Sequence, residues 1–213
     1  SYVHQIDSQK LKEHIQQQEM AKALAKVIAN EEIDVYYQPK YTLGKNNDFN
    51  HIEKPLLLSA EALARWSYQG KPVSPVIFIQ LAEEYGFIAD LDALIMKKAW
   101  LQASELAKLG YHIKISVNYS SISMIVKDKL IGLVRYLVDT YDLSPALLEI
   151  EITESAMAKS GNTNEQLQTL RELGVSIAID DFGTGYSNLS QLQALPLDTI
   201  KIDKSFVDLI GTN

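Results

Sequence analysis

Glu61, Glu151, Asp180 and Asp181 are four acids at or near the ends of short β-type runs, and Asn118 and Lys201 hold the same place in two others. Brought to one rim, four carboxylates cannot stay charged and alone. Two like charges about 4 Å apart repel by roughly 4 kcal/mol at an effective dielectric near 20. The set therefore requires protons, cationic side chains or metal ions. With the neutral oxygen of Asn118 it forms a hard, all-oxygen donor group, suited to Mg²⁺ or Mn²⁺ rather than zinc, and two divalent ions would neutralise it. The plainer alternative is that these acids lie on separate exposed loops and never meet, the usual fate of Asp and Glu.

What has to position them is an alternation of strand-like and helical runs. Strand patterns fall at 35–38, 56–64, 113–118, 148–153, 175–180 and 199–203, six in all. Helical patterns fall between them at 75–85, 91–109, 129–141, 164–173 and 188–195. Repeated β–α units predict a parallel sheet, open or closed into a barrel. The first two strands are joined only by the polar stretch 41–54, too short for a crossover helix, so they are expected to form an antiparallel hairpin. Within that stretch, 43–51 is rich in Gly, Asn and Asp and reads as a loop.

Side chains alternate across a strand, which splits each run into two faces. One face is apolar: Ile113, Ile115 and Val117; Leu148, Ile150 and Ile152; Val175, Ile177 and Ile179; Ile200 and Ile202. It is expected to pack under the outer helices. The other face carries Lys114, Ser116 and Asn118, then Glu149, Glu151 and Thr153, then Ser176, Ala178 and Asp180, then Thr199, Lys201 and Asp203. A sheet covered on both sides purely for structure is apolar on both. Polar residues toward the C-terminal strand ends are instead where barrels and open α/β sheets place their sites.

Composition narrows the function. Of the 213 residues, 46% are hydrophobic and 22% charged, ordinary for a soluble globular domain. A net charge of −7 argues against broad binding to a DNA or RNA polymer, which wants a basic face. No apolar run approaches a membrane span, so no membrane contact is expected from this segment, and the absence of cysteine removes disulfides and thiol chemistry. A cytoplasmic location is expected, whether free or as part of a membrane-anchored parent. The chain begins at Ser1 and reads as a processed or excised piece. Residues 1–30 are expected to be a leading helix or linker, with Leu11, Ile15, Leu24 and Ile28 at helical intervals, and 31–213 the main domain.

At the same residues the chain resembles the EAL family of cyclic di-GMP phosphodiesterases. Glu61-Ala62-Leu63 is similar to the signature that names the family. Tyr37-Gln38-Pro39, Ser116-Val117-Asn118-Tyr119-Ser120, the stretch 149–155, the stretch 180–187 beginning Asp180-Asp181-Phe182-Gly183, and Lys201-Ile202-Asp203 resemble its other motifs, in order. The resemblance implies an α/β fold, a TIM-type (β/α) barrel with an antiparallel first strand. Such a barrel has eight strands and needs roughly 250 residues. The six strand patterns here imply a domain lacking its last two strands.

The resemblance also implies an activity, the metal-dependent hydrolysis of one phosphodiester bond of cyclic di-GMP to linear pGpG. Glu61, Asn118, Glu151 and Asp180 would hold Mg²⁺ or Mn²⁺, with Asp181 serving a second ion, in a two-metal displacement at phosphorus. Lys201 would orient the attacking water or take its proton. Arg65 would contact a substrate phosphate, while Gln38 and Asp203 would help hold the nucleotide. Glu154 would steady the loop after the strand at 175–180. Partners implied are cyclic di-GMP, a second copy of the chain, and an upstream sensor or cyclase domain in the parent protein. Two other readings stand beside the enzyme: a receptor that binds cyclic di-GMP without cleaving it, and a regulatory or interaction module. For individual residues, Arg65 beside Trp66 also fits surface stacking, and Gln38 beside Pro39 also fits a backbone-satisfying strand end.

Overall fold

A computed structural model of the chain describes residues 8–42, 56–125, 129–154, 163–183 and 195–208. Helix α1 (Ser8–Ala29) leads into β1 (Asp34–Tyr41), which pairs antiparallel with β2 (Leu57–Tyr68) and sets Gln38 opposite Glu61. The expected hairpin is therefore present, with both strands longer than their patterns. Two helices follow, α2 (Pro75–Glu84) and α3 (Ile88–Lys108), before β4 (Lys114–Asn118). The short α4 (Ser121–Met124) and α5 (Lys129–Tyr141) lead to β5 (Leu148–Thr153). Then come α6 (Thr163–Glu172), β6 (Ser176–Phe182), β7 (Thr199–Ile202) and α7 (Lys204–Asp208). The strand order is β1-β2-β4-β5-β6-β7, parallel from β2 onward.

The described residues hold seven strands rather than the six read from sequence. The addition, β3 (Lys71–Val73), folds back on β2 through a two-residue turn. Gln69 (φ 52°) and Gly70 (φ 73°) both take the left-handed conformation, the geometry that suits a tight hairpin. Three residues containing Pro72 are too few to display a period of two. The loop expected at 43–51 and most of the helix expected at 188–195 lie outside the described residues.

Period-two alternation held for the central strands. Ile115, Val117, Leu148, Ile150, Ile152, Val175, Ile177 and Ile179 are all at most 2% exposed, in a core that takes in α3, α5 and α6. At β7 the expectation fails: Ile200 and Ile202 stand 48% and 65% exposed. The leading helix is divided in the same way. Leu24 and Ile28 join the core, whereas Leu11 and Ile15 are exposed. Among the described residues, no helix is long and apolar enough to cross a membrane.

The polar face is buried as well: Ser116, Glu149 and Glu151 are 0%, 4% and 1% exposed. Sheet curvature explains how. Lys201 on β7 bonds Glu61 on β2 at 3.0 Å. Four strand spacings separate them, about 19 Å along a flat sheet, more than two side chains can span. The sheet is therefore rolled around its polar face, and β1 and β7 are its edges among the described residues.

Candidate active site

Glu61 stands on β2 opposite Ser116, Glu151 on β5 opposite Asn118, and Asp180 on β6 opposite Thr153, so the three are staggered along the ladder and meet because the sheet is rolled. One carboxylate oxygen from each lies within 4.8 Å of the other two. Lys201 Nζ enters from β7 and donates to all three, at 3.0 Å to Glu61 Oε2, 2.6 Å to Glu151 Oε2 and 2.7 Å to Asp180 Oδ2. Asn118 completes the group by donating from Nδ2 to Glu61 Oε1 at 2.9 Å. Burial works against the charge on Lys201, but its bonds to Asp180, Glu151 and Glu61 outweigh it and hold the ammonium well above the usual lysine range.

Beneath this cluster lies a second cation that the sequence reading did not single out. Lys40, near the end of β1, donates to Glu151 Oε1 at 2.9 Å, Glu149 Oε1 at 3.2 Å and Ser116 Oγ at 2.5 Å. Ser116 Oγ and Thr199 Oγ1 also donate to Glu149. Burial would raise the Glu149 carboxyl, yet Ser116, Lys40 and Thr199 together keep it below its ordinary range. The available signal was parity: Lys40 stands two residues after Gln38, on the same face of β1.

The remaining expected residues divide. Asp181 adjoins the cluster without belonging to the three-acid group: its backbone N–H donates to Asp180 Oδ1 at 2.9 Å, its φ is 53°, and it is exposed. Partial burial and the charges of Asp180 and Asp203 push its carboxyl up. Glu154, 4% exposed, accepts the backbone N–H of Gly183 at 3.1 Å, which ties the end of β5 to the segment after β6. Gly183 must be glycine there, since its φ is 101° and an added Cβ would meet the Phe206 ring at 2.6 Å. Asp203 accepts from the Ser205 backbone N–H at 2.9 Å and from the Ser205 hydroxyl, bonds that hold its carboxyl below the usual range at the start of α7. Gln38 faces the same side as Glu61 and is exposed. Arg65 donates to Ala64 O at 2.9 Å and lies 5.5 Å from the centre of the Tyr36 ring. The stacking partner is thus Tyr36 on the neighbouring strand, not Trp66.

A cavity of about 520 Å³ opens beside the cluster, lined by Arg65, Glu83, Asp92, Asn118, Ser120 and Glu151 among others. Asp92 sits in the buried stripe of α3, 5% exposed, and its Oδ2 accepts from Ser123 Oγ at 2.6 Å and the Ser120 backbone N–H at 3.0 Å. Burial pushes this carboxyl up to about 7, against those hydrogen bonds. Because the folded pKa is raised from 3.8, Asp92 contributes stability that is complete below about pH 4 and is lost as pH rises to about 7. Asp92→Asn is expected to flatten this slope. Urea unfolding at about pH 4.5 and pH 7.5 should show the wild type losing up to about 3 kcal/mol more than the variant across that window. Equal slopes would place the Asp92 titration elsewhere.

Comparison with known proteins agrees with this geometry. The family model described as "EAL domain" matches residues 17–213. The chain is 34% identical over 195 residues to the cyclic di-GMP phosphodiesterase NbdA of Pseudomonas aeruginosa, covering 90% of this chain and 24% of that protein. It is 35% identical over 188 residues to the probable cyclic di-GMP phosphodiesterase PdeB of Escherichia coli, covering 88% and 34%. The chain thus spans only about a quarter to a third of the length of these relatives. Among solved structures, the PaMucR phosphodiesterase in complex with cyclic di-GMP superposes with a TM-score of 0.79 at 29% identity, covering 92% of this chain and 76% of that one. A mixed α/β fold with an antiparallel first strand pair, the motif order and these matches lead to one conclusion: the chain belongs to the EAL-domain family of cyclic di-GMP phosphodiesterases.

Proposed function

We propose that this chain carries the hydrolytic site of a metal-dependent phosphodiesterase that opens cyclic di-GMP to linear pGpG. What supports this most directly is the convergence of Glu61, Glu151 and Asp180 on a single cation, the Lys201 ammonium. The donor set suits the expected ions. Counting Lys40 together with its other acid Glu149, four carboxylates against two ammoniums leave a local charge of −2, the complement of one divalent ion, and every donor is a hard oxygen.

Glu61, Glu151, Asp180 and the Asn118 oxygen would hold Mg²⁺ or Mn²⁺, with Asp181 placed for a second ion. When bound, these ions acidify water and stabilise charge developing at phosphorus. Lys201, kept protonated by its three carboxylates, acts in this scheme as a donor that orients the attacking water rather than as the base. Arg65, at the cavity wall, would exchange its contact with Tyr36 for a substrate phosphate, to which its fork of donors is matched. Attack forms a new P–O bond as the ribose P–O bond breaks, and the released 3′ oxygen takes a proton to leave pGpG.

Incubating the chain with cyclic di-GMP and Mg²⁺ or Mn²⁺ should yield pGpG by chromatography, and Glu61→Ala should yield none. Retained binding without product in the wild type would replace this reading with a receptor.

A further inference from the structure

We propose that Lys40 is a positioning residue for the metal site: it fixes one oxygen of Glu151 so that the other is presented to the bound ion. This rests on the metal-site reading above. Glu151 is 1% exposed, and its two oxygens face two different ammonium groups. Oε2 is turned to the cluster of Glu61 and Asp180, where Lys201 enters from β7. Oε1 is turned away, toward Lys40 of β1. Lysines from the two edge strands of the sheet therefore hold one oxygen each of the same carboxylate, on a central strand. A carboxylate with one oxygen tied can rotate neither away from a ligand position nor into one that chelates differently.

Lys40 has a second partner in Glu149, buried at 4% exposure, and this raises a purely structural alternative. In that alternative Lys40 only neutralises a buried acid. The two roles make opposite demands on one double variant. Lys40→Met with Glu149→Gln removes one positive and one negative charge, so the net field at the metal site is unchanged to first order. It also removes the acid that needed a counter-charge. Glu151 Oε1, however, loses the donor that held it.

The test is calorimetric titration of the 213-residue chain with Mn²⁺ without substrate, alongside urea unfolding. Lys40→Met alone is expected to lose both stability and Mn²⁺ affinity. The double variant is expected to regain stability yet bind Mn²⁺ about 10- to 100-fold more weakly than wild type, the range for removing a group that orients a ligand. Wild-type affinity in the double variant overturns the inference and leaves the metal-site reading intact. A double variant that is unfolded at room temperature assigns Lys40 to the fold alone and also overturns it. A wild-type chain that takes up no Mn²⁺ overturns the metal-site reading itself, and this inference with it.

Discussion

Glu151→Gln is expected to abolish turnover of cyclic di-GMP, with pGpG formation falling by about 10³-fold. Two losses combine in this one change. The side chain gives up an anionic ligand, and its new NH₂ group faces one of two ammonium ions where an oxygen accepted before. A lost orienting contact costs about 10- to 100-fold and a misplaced group about 100-fold more. The fold is also weakened, because breaking a buried ion pair from one side costs about 3–5 kcal/mol. Single-turnover assays at saturating Mn²⁺, on protein shown to be folded by circular dichroism, separate the two effects. Near-wild-type turnover in this variant would remove Glu151 from the site.

Lys201→Met is expected to convert the chain into one whose stability depends on a divalent ion. In the wild type the Lys201 ammonium bridges three carboxylates whose facing oxygens lie within 4.8 Å. Without it each pair repels by roughly 3–4 kcal/mol at an effective dielectric near 20, and rearrangement relieves only part of this. A net loss of about 3–5 kcal/mol follows. Mn²⁺ at about 100 times its dissociation constant should return about 2.7 kcal/mol, since it binds the folded chain and not the unfolded one. Urea unfolding with and without Mn²⁺ reads both numbers. A variant as stable as wild type in the absence of metal would mean that the acids do not meet in solution.

The sequence by itself determined which side of each central strand is buried against helices. Period two is a local property, and Ile115, Val117, Ile150, Ile152, Ile177 and Ile179 obey it wherever a neighbour exists on both sides. It also determined that Glu61, Glu151 and Asp180 share a face, because strand-end position and parity follow from spacing alone. Family membership was legible for a related reason, since the motifs of β4 to β7 stand at or near the strand ends that carry Asn118, Glu151, Asp180 and Lys201; Glu61, expected near a strand end, instead stands mid-strand because β2 runs on to Tyr68.

Only the tertiary structure decided how far around the sheet those faces meet. Curvature accumulates over many strands, and no window of sequence contains it. Rolling brings Lys201 across four strand spacings to Glu61, and it brings Lys40 from the opposite edge to Glu151. Read along β1, Lys40 is one more exposed-looking lysine after a proline; its burial partners lie 76 to 111 residues away. Asp92 was hidden by the same logic, a single acid in an apolar helical stripe whose donors come from Ser120 and Ser123, at the start of and within α4. Ile200 and Ile202 failed in the opposite direction, for alternation states which face a residue takes but not whether anything lies over it.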